Sequence, residues 1–564
     1  MVATALIWAA AAVPWVFSTS LGNAFRVPSV LAGCGMGLLC AGWSLWKRRT
    51  LPLRTALDAP LAAFMLCVSA AIPGSIDRSM SIFGNIPLSF WSLGGMCSCL
   101  AAFGTGRLLS EEERGWERLE AALAACSIPV CAYAVLQSSG IEPFLWAPRV
   151  FAGGRPASTL GNPAFLGLYL ATIFPLALSM AAREPLARSP RARLGGAALL
   201  SLTCALVVSG SRAAVIGASC GAGLLCLWPL RKSARLGRIA FLFGMSLLGI
   251  LLVMMMRRET LILSDGARLD LWKIALRQFW EAPGFGGGPD SFTLSYLRLR
   301  TAAFAGNVHY MQDQAHNDLL QIAATLGAAG LLAYAWLHVA AGKRLWRELR
   351  REDGALSAVA SLFSAWVFLK FSIPSDSSLW PACLVAGMLF GESVGQESRR
   401  RGILRAACWL AALSLALGLS LRAGLAARSY HQGEIARAEG RLKDAAAHLE
   451  EALERAPDSL FYRGALASVL FDAADAADAE GRGMILRRAS QSAWEGVSRH
   501  PRHPEAYSLL AQTELQRVRC AEESRRWAAR QALEVVAALN PFDPRVPEAL
   551  AELARLPRSR KRIL

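Results

Sequence analysis

The chain has 564 residues, 54% of them hydrophobic and 18% charged, with a formal net charge of +18. Soluble domains carry about a quarter charged residues, so this composition excludes a single small soluble enzyme and a secreted disulfide scaffold. The apolar runs are continuous and about 20 residues long, enough for a membrane-crossing helix and roughly twice the length of a barrel strand.

In chain order the runs fall at residues 3–18, 28–46, 57–73, 83–103, 119–137, 160–181, 195–209, 213–229, 238–256, 317–341, 355–373, 379–393 and 403–421. They predict an all-α fold, a polytopic membrane helical bundle of about 12–13 transmembrane helices. The first run starts at Met1 with no basic leader and no small-residue cleavage site, and reads as a retained helix. Every second loop is basic. Lys47, Arg48, Arg49 and Arg54 follow the second run, and Arg107, Arg114 and Arg118 the fourth. Arg183, Arg188, Arg191 and Arg193 follow the sixth, and Arg231, Lys232, Arg235 and Arg238 the eighth. Lys343, Arg344, Arg347, Arg350 and Arg351 follow the tenth, and Arg399, Arg400, Arg401 and Arg405 the twelfth. The positive-inside rule assigns these loops to the cytoplasm and the chain to a bacterial inner (plasma) membrane. The N-terminus is then cytoplasmic, and the long loop at 257–316 and everything after residue 421 are extracytoplasmic.

Residues 1–421 therefore read as a transmembrane domain and 422–564 as a soluble helical one. The second part carries 23 basic and 20 acidic residues, so the positive excess lies in the membrane half and no nucleic-acid partner is implied. Gly433, Gly440, Ala445, Leu449, Ala452 and Pro457 fit the tetratricopeptide pattern, in which small residues let two antiparallel helices approach and proline ends the second. Weaker copies end at Pro501 and Pro541. A generic Ala-rich bundle is the alternative. Either is an all-α module suited to holding a protein partner. Of thirteen cysteines, twelve lie in the membrane half, in or beside apolar runs, and read as small buried residues rather than metal ligands.

Polar groups at membrane depth are costly and mark function. Arg212 lies between two runs on the outer side, where the charge rule disfavours arginine, and small residues flank it in Ser209-Gly210-Ser211-Arg212-Ala213-Ala214. Lys370 lies late in the eleventh run, near the same face. The outer loop carries Arg268 in Ala267-Arg268-Leu269-Asp270-Leu271-Trp272-Lys273, which continues with helical spacing and predicts a helix along the membrane surface. Gly284-Phe285-Gly286-Gly287-Gly288-Pro289 reads as a tight turn, since no βαβ unit surrounds it. The loop closes with His309, Asp313 and His316-Asn317-Asp318. Their spacing matches no standard zinc motif. One of Asn317 and Asp318 caps the next helix, and His316 is the general-base candidate. Arg212, Arg268, Asn317 and Lys370 form the candidate substrate-binding set, with Arg212, Arg268 and His316 as the catalytic residues.

Four segments in this order resemble the O-antigen ligase and O-antigen polymerase superfamily of bacterial membrane glycosyltransferases. They are Thr159-Leu160-Gly161-Asn162-Pro163-Ala164-Phe165-Leu166; Gly210-Ser211-Arg212-Ala213-Ala214; Arg268 to Trp272 with the Gly-rich turn and Phe292; and His316-Asn317-Asp318 with Gln321, Gly327 and Gly330. Where relatives often carry Asn, this chain has Ala164. The resemblance implies a donor glycan on undecaprenyl diphosphate. The glycan passes to a glycolipid (lipid A-core), a protein or a growing polysaccharide, with no metal or other cofactor. It also implies that Arg212 and Arg268 clamp the diphosphate, that His316 deprotonates the acceptor hydroxyl, and that one in-line displacement inverts the anomeric centre. Arginine's planar fork suits such a clamp.

Two other classes share this outline. A transporter or flippase for a lipid-linked glycan needs charges spread from face to face, whereas these cluster at one. An envelope scaffold uses only the repeats and makes no demand on His316. Ligase and polymerase share the donor site and differ in acceptor loops.

Overall fold

Among the described residues, most of the predicted apolar runs form helices. The computed structural model describes residues 1–564 apart from 20, 22–23, 85–88, 145–154, 187–188, 229–264, 308–311, 352–354, 392–398, 521 and 557–564. The membrane half contains α1 (Val2–Ala12), α2 (Arg26–Arg48), α3 (Asp58–Ala71), α4 (Arg78–Phe83), α5 (Leu93–Leu109), α6 (Gly115–Ser138), α7 (Pro163–Arg183), α8 (Pro190–Ser209) and α9 (Arg212–Leu227). It continues with α10 (Asp265–Glu281), α11 (Phe292–Leu299), α12 (Ala302–Asn307), α13 (Asp318–Arg350), α14 (Leu356–Leu369), α15 (Asp376–Leu389) and α16 (Arg399–Ala438). Among the described residues the only β pairing is an isolated bridge between Thr55 and Gly391. The ninth predicted run, at 238–256, lies outside the described residues. Among the described residues, six helices (α2, α6, α7, α8, α13 and α16) are long and apolar enough to cross a membrane; α1, α3, α5, α9 and α14 are apolar but shorter.

One run is displaced. The sequence places the fourth at 83–103, but α5 starts at Leu93, because Ser92 caps it by accepting from Gly95 N at 3.2 Å. The paired runs at 195–229 become α8 and α9, separated at Gly210 by a left-handed turn (φ 60°).

α7 is the hub. It is apolar all round, and every residue from Phe165 to Leu178 is buried, as expected for a helix enclosed by others. α9 presents Gly217 and Gly221 to α14. A Cβ on Gly217 would lie 2.7 Å from the Ser364 carbonyl oxygen, and one on Gly221 2.8 Å from that of Ala360. Close approach allows Ser364 Oγ to donate to Gly217 O at 2.5 Å and Ser361 Oγ to Thr172 O at 2.6 Å. Small residues with interhelical hydrogen bonds replace the hydrophobic drive that lipid removes.

The loops that the sequence groups by positive charge meet at one end. Lys47 pairs with Glu112 at 2.7 Å, and Arg107 donates to the Arg54 carbonyl at 3.0 Å. Buried Glu120 receives Arg191 at 2.6 Å and Arg183 at 3.3 Å. Trp228 Nε1 reaches the Leu349 carbonyl at 2.7 Å. The remaining loops gather at the opposite end, where Ser89 meets Asp290 at 2.7 Å and Trp91 meets Gln314 at 2.7 Å.

α16 runs through residues 421 and 422 without a break, so the last span and the first tail helix are one element of 40 residues, about 60 Å long. Five of the remaining helices, α17 (Leu442–Arg455), α18 (Leu460–Asp475), α19 (Ala479–Arg499), α20 (Pro504–Arg519) and α21 (Arg526–Leu539), pack in sequence order, followed by α22 (Arg545–Arg555). Gly433 faces Leu449, with a Cβ position 3.1 Å away, and Ala445, Leu449 and Ala452 are fully buried.

Candidate active site

The site is built where the ends of α7, α8 and α9 meet the loop helices. Asn162 starts α7 by accepting from Ala164 N at 2.8 Å, and Pro163 holds the first helical position. Gly167 on α7 lets the next turn approach, since a Cβ there would lie 2.7 Å from Ser211 Oγ. In that turn Gly210 ends α8 and the Ser211 side chain caps α9 by accepting from Ala214 N at 3.3 Å. Arg212 is the first residue of α9 and half-buried. A cation at a helix N-terminus opposes the helix dipole, so its position is costly for stability and favourable for an anion.

Arg155 folds onto the same turn. Its Nε and Nη2 donate to the Ser209 carbonyl at 2.8 and 2.6 Å, and its Nε is 3.3 Å from where a Cβ on Gly210 would stand. Burial and the like charges of Arg268 and Arg212 hold its guanidinium below the usual arginine range. Arg212 and Arg268 therefore both lie within electrostatic reach of Arg155.

Arg268 comes from α10. This helix buries Ala267, Leu271, Ile274 and Ala275 against Phe292, Tyr296 and Phe304 and leaves Leu269, Leu276 and Trp280 exposed, an amphipathic pattern. The Gly-rich turn fixes it. α13 breaks at Gly327 (φ 63°, ψ −160°), which frees backbone groups that the turn satisfies. Gly287 N donates to Ala324 O at 3.1 Å and Gly288 N to Thr325 O at 2.9 Å; Ala328 N and Ala329 N donate to Pro283 O and Gly284 O at 2.8 and 3.1 Å. The Gly287 and Gly288 amides are thus committed to α13 and that of Gly286 to Ala282 O, as in a structural turn.

His316 directly precedes the α13 cap and adopts a left-handed conformation (φ 55°), which costs about 1–3 kcal/mol in a non-glycine residue. Gln321 Oε1 accepts from Ala315 N at 2.8 Å, and Asn317 Oδ1 accepts from Leu320 N at 3.1 Å, bracketing the strained residue. Its Nδ1 is buried and has no hydrogen-bond partner among the described residues. Burial and the charge of Arg268 push the imidazole down to about 4, so it is neutral at physiological pH.

Asn317 is the α13 cap, and its Nδ2 donates to the Lys370 carbonyl at 3.1 Å. Lys370 Nζ is held by both carboxylate oxygens of buried Asp318, at 2.7 and 2.6 Å, and Tyr334 donates to the same carboxylate at 2.7 Å. The ammonium of Lys370 is therefore already neutralised. Arg155 and Asp318 are the two residues the sequence reading leaves out of the site. His309 lies outside the described residues, and among those described no cluster of three His, Cys, Asp or Glu side chains gathers as a metal site.

Residues 197–335 match the family described as O-Antigen ligase. The matched segment runs from α8 to α13 and contains Arg212, Arg268, His316 and Asn317. No curated protein matches the chain. The match supports the O-antigen ligase superfamily and a membrane glycosyl-transfer or ligase role in general terms.

Proposed function

We propose that this protein is a metal-independent membrane glycosyltransferase. It moves a glycan from undecaprenyl diphosphate to a glycolipid, protein or growing polysaccharide at the outer face of the bacterial plasma membrane. The observation that carries this reading is the convergence of Arg212, Arg268 and His316 at the end of the bundle opposite the basic loops.

Arg212 and Arg268 bind the diphosphate oxygens by charge-assisted hydrogen bonds, strengthened where water is excluded. His316 takes the proton of the acceptor hydroxyl. The acceptor oxygen bonds to the anomeric carbon as the bond from that carbon to the diphosphate oxygen breaks, and the leaving lipid diphosphate keeps the electron pair. The charge of Arg268 keeps the neutral imidazole a weak base before the donor binds. A bound diphosphate offsets that charge and raises the proton affinity of His316 when the donor is in place. The hydrogen bonds of Asn317 and Lys370, the expected donor contacts, favour a role in holding the His316 turn. The helical tail would hold an acceptor or a partner protein through its tetratricopeptide-like repeats.

The test is glycan transfer in proteoliposomes that contain only donor, acceptor and this protein. Product formation that survives EDTA supports the reading. Donor crossing the bilayer without product indicates a transporter, and rescue of EDTA-treated protein by zinc or magnesium contradicts metal-free transfer. Orientation is read from Lys273→Cys and Arg530→Cys in a Cys520→Ser background. Both positions are well exposed, and both should react with an impermeant maleimide in intact spheroplasts.

A further inference from the structure

Three features of Arg155 go beyond the role of a helix cap. Its Nε and Nη2 are spent on one carbonyl, that of Ser209, which fixes the plane of the guanidinium against the Gly210 turn two residues before Arg212. Its Nη1 makes no hydrogen bond among the described residues. Arg212 and Arg268 both act on it as positive charges. Capping alone explains none of this crowding, because a neutral amide would cap Ser209 without repulsion from its neighbours. Two anchored donors and one open edge is a pre-organised arrangement that loses little side-chain entropy on binding an anion.

The charge count gives the third arginine a use. In a glycosylated lipid diphosphate each phosphate is esterified and carries one negative charge. When the glycan leaves, the phosphate next to it loses its ester, becomes the terminal phosphate and gains a further charge, with an ionisation near pH 6. Two arginines balance the donor; a third balances what the donor becomes. An interaction that strengthens as that charge develops speeds the chemical step, whereas one equally strong throughout lowers KM alone.

We propose that Arg155 is a third catalytic arginine, which contacts the phosphate next to the glycan through Nη1 and binds the leaving lipid diphosphate more tightly than the intact donor. This rests on the diphosphate reading above. Arg155 lies outside the segment that matches the O-Antigen ligase family, so the match assigns it nothing.

The test uses the full-length protein in detergent and two probes differing by one ester: farnesyl diphosphate, and the same molecule with a methyl ester on its terminal phosphate. At pH 8 the wild type should bind farnesyl diphosphate at least about tenfold more tightly than the ester. Arg155→Gln keeps an amide donor but removes the charge, and should shrink that preference below about threefold while the ester still binds. Arg155→Lys keeps the charge and loses the fork. It should retain part of the preference and lower kcat about ten- to a hundredfold, with donor KM within about twofold. An unchanged preference in folded Arg155→Gln overturns the assignment. So does an equal loss of both probes accompanied by a lower Tm, which makes Arg155 a cap of α8. If Arg155→Gln fails to fold, full preference and full kcat in Arg155→Lys overturn it. Wild type that binds neither probe fails the diphosphate reading itself, an outcome distinct from the others.

Discussion

His500 Nδ1 stands 2.6 Å from Asp77 Oδ2, a contact between residues 423 apart in sequence, and both side chains are almost fully buried. Nε2 of the same ring is 2.8 Å from the Asp458 carbonyl. The seam between tail and membrane bundle closes here and at Arg300, whose Nη2 donates to Asn540 Oδ1 at 2.8 Å. The segment carrying Asp77 also touches the Gly-rich turn, with Ile76 N donating to Gly287 O at 2.9 Å. The tail is thus pinned one contact away from the element that fixes α10 and Arg268.

Removing one partner of this buried contact leaves the other without its hydrogen bond, at a cost of about 1–3 kcal/mol. Asp77→Ala and His500→Ala should each lower Tm and open the tail seam to proteolysis, and the double variant should lose less than the sum. Against the cost of burial, the His500 hydrogen bond and charge hold the Asp77 carboxyl below its usual range. Its stabilising share is therefore complete above the unfolded carboxylate pKa of about 3.9 and fades as pH falls through the lower folded value. Seam proteolysis in the wild type should stay low down to about pH 4. An Asp77→Ala tail as protected as the wild type would contradict the latch.

Gly286 tests the turn. It has φ 69°, and a Cβ there would stand 2.3 Å from the Thr325 carbonyl carbon. Gly286→Ala should keep the helical content and displace α10, with transfer falling at least about tenfold for a stability loss of about 1–3 kcal/mol. Parallel circular dichroism and transfer assays separate the two effects.

Lys370 is tested by a double-mutant cycle. Asp318→Asn leaves the ammonium uncompensated and should destabilise strongly, while Asp318→Leu with Lys370→Met removes both charges and should recover most of that loss. If the double variant still transfers glycan at near wild-type rate, Lys370 positions the His316 turn. If it folds and loses donor affinity, Lys370 contacts the donor.

The spans and the sharing of one end by the basic loops are legible in sequence because apolar length and charge are local properties. Arg212 stands out by the same rule, and Arg155 meets it equally, but nothing local shows that its side chain returns to Ser209, 54 residues on. Lys370 reads as an interfacial cation because Asp318, its partner, lies 52 residues away. The composition changes near residue 421, yet the backbone does not break, since Ala, Leu and Arg on both sides are strong helix formers. The displaced start of α5 turns on one serine cap, which hydropathy does not register.

The pH dependence follows from His316. Burial and Arg268 bring the free imidazole to about 4, and the base must be neutral to act. Activity in kcat/KM, which reports the free enzyme, should persist as pH falls and be lost only near pH 4, while kcat should decline at higher pH because bound diphosphate offsets Arg268. An acid limb of kcat/KM at about 6.5, the value of a solvated histidine, would place His316 outside the site.

The most direct measurement of the central claim is single-turnover glycan transfer by His316→Ala and Arg268→Ala, with donor affinity measured on the same preparations. For His316→Ala the account predicts a rate lower by about a hundred- to ten-thousandfold, with donor affinity within about twofold of wild type. For Arg268→Ala it predicts at least about a hundredfold loss, only partly recovered by Arg268→Lys. His309→Ala, its neighbour in sequence, should have a milder effect. Loss of donor binding in His316→Ala, or transfer at wild-type rate in either alanine variant, would contradict the assignment of these residues to one catalytic site.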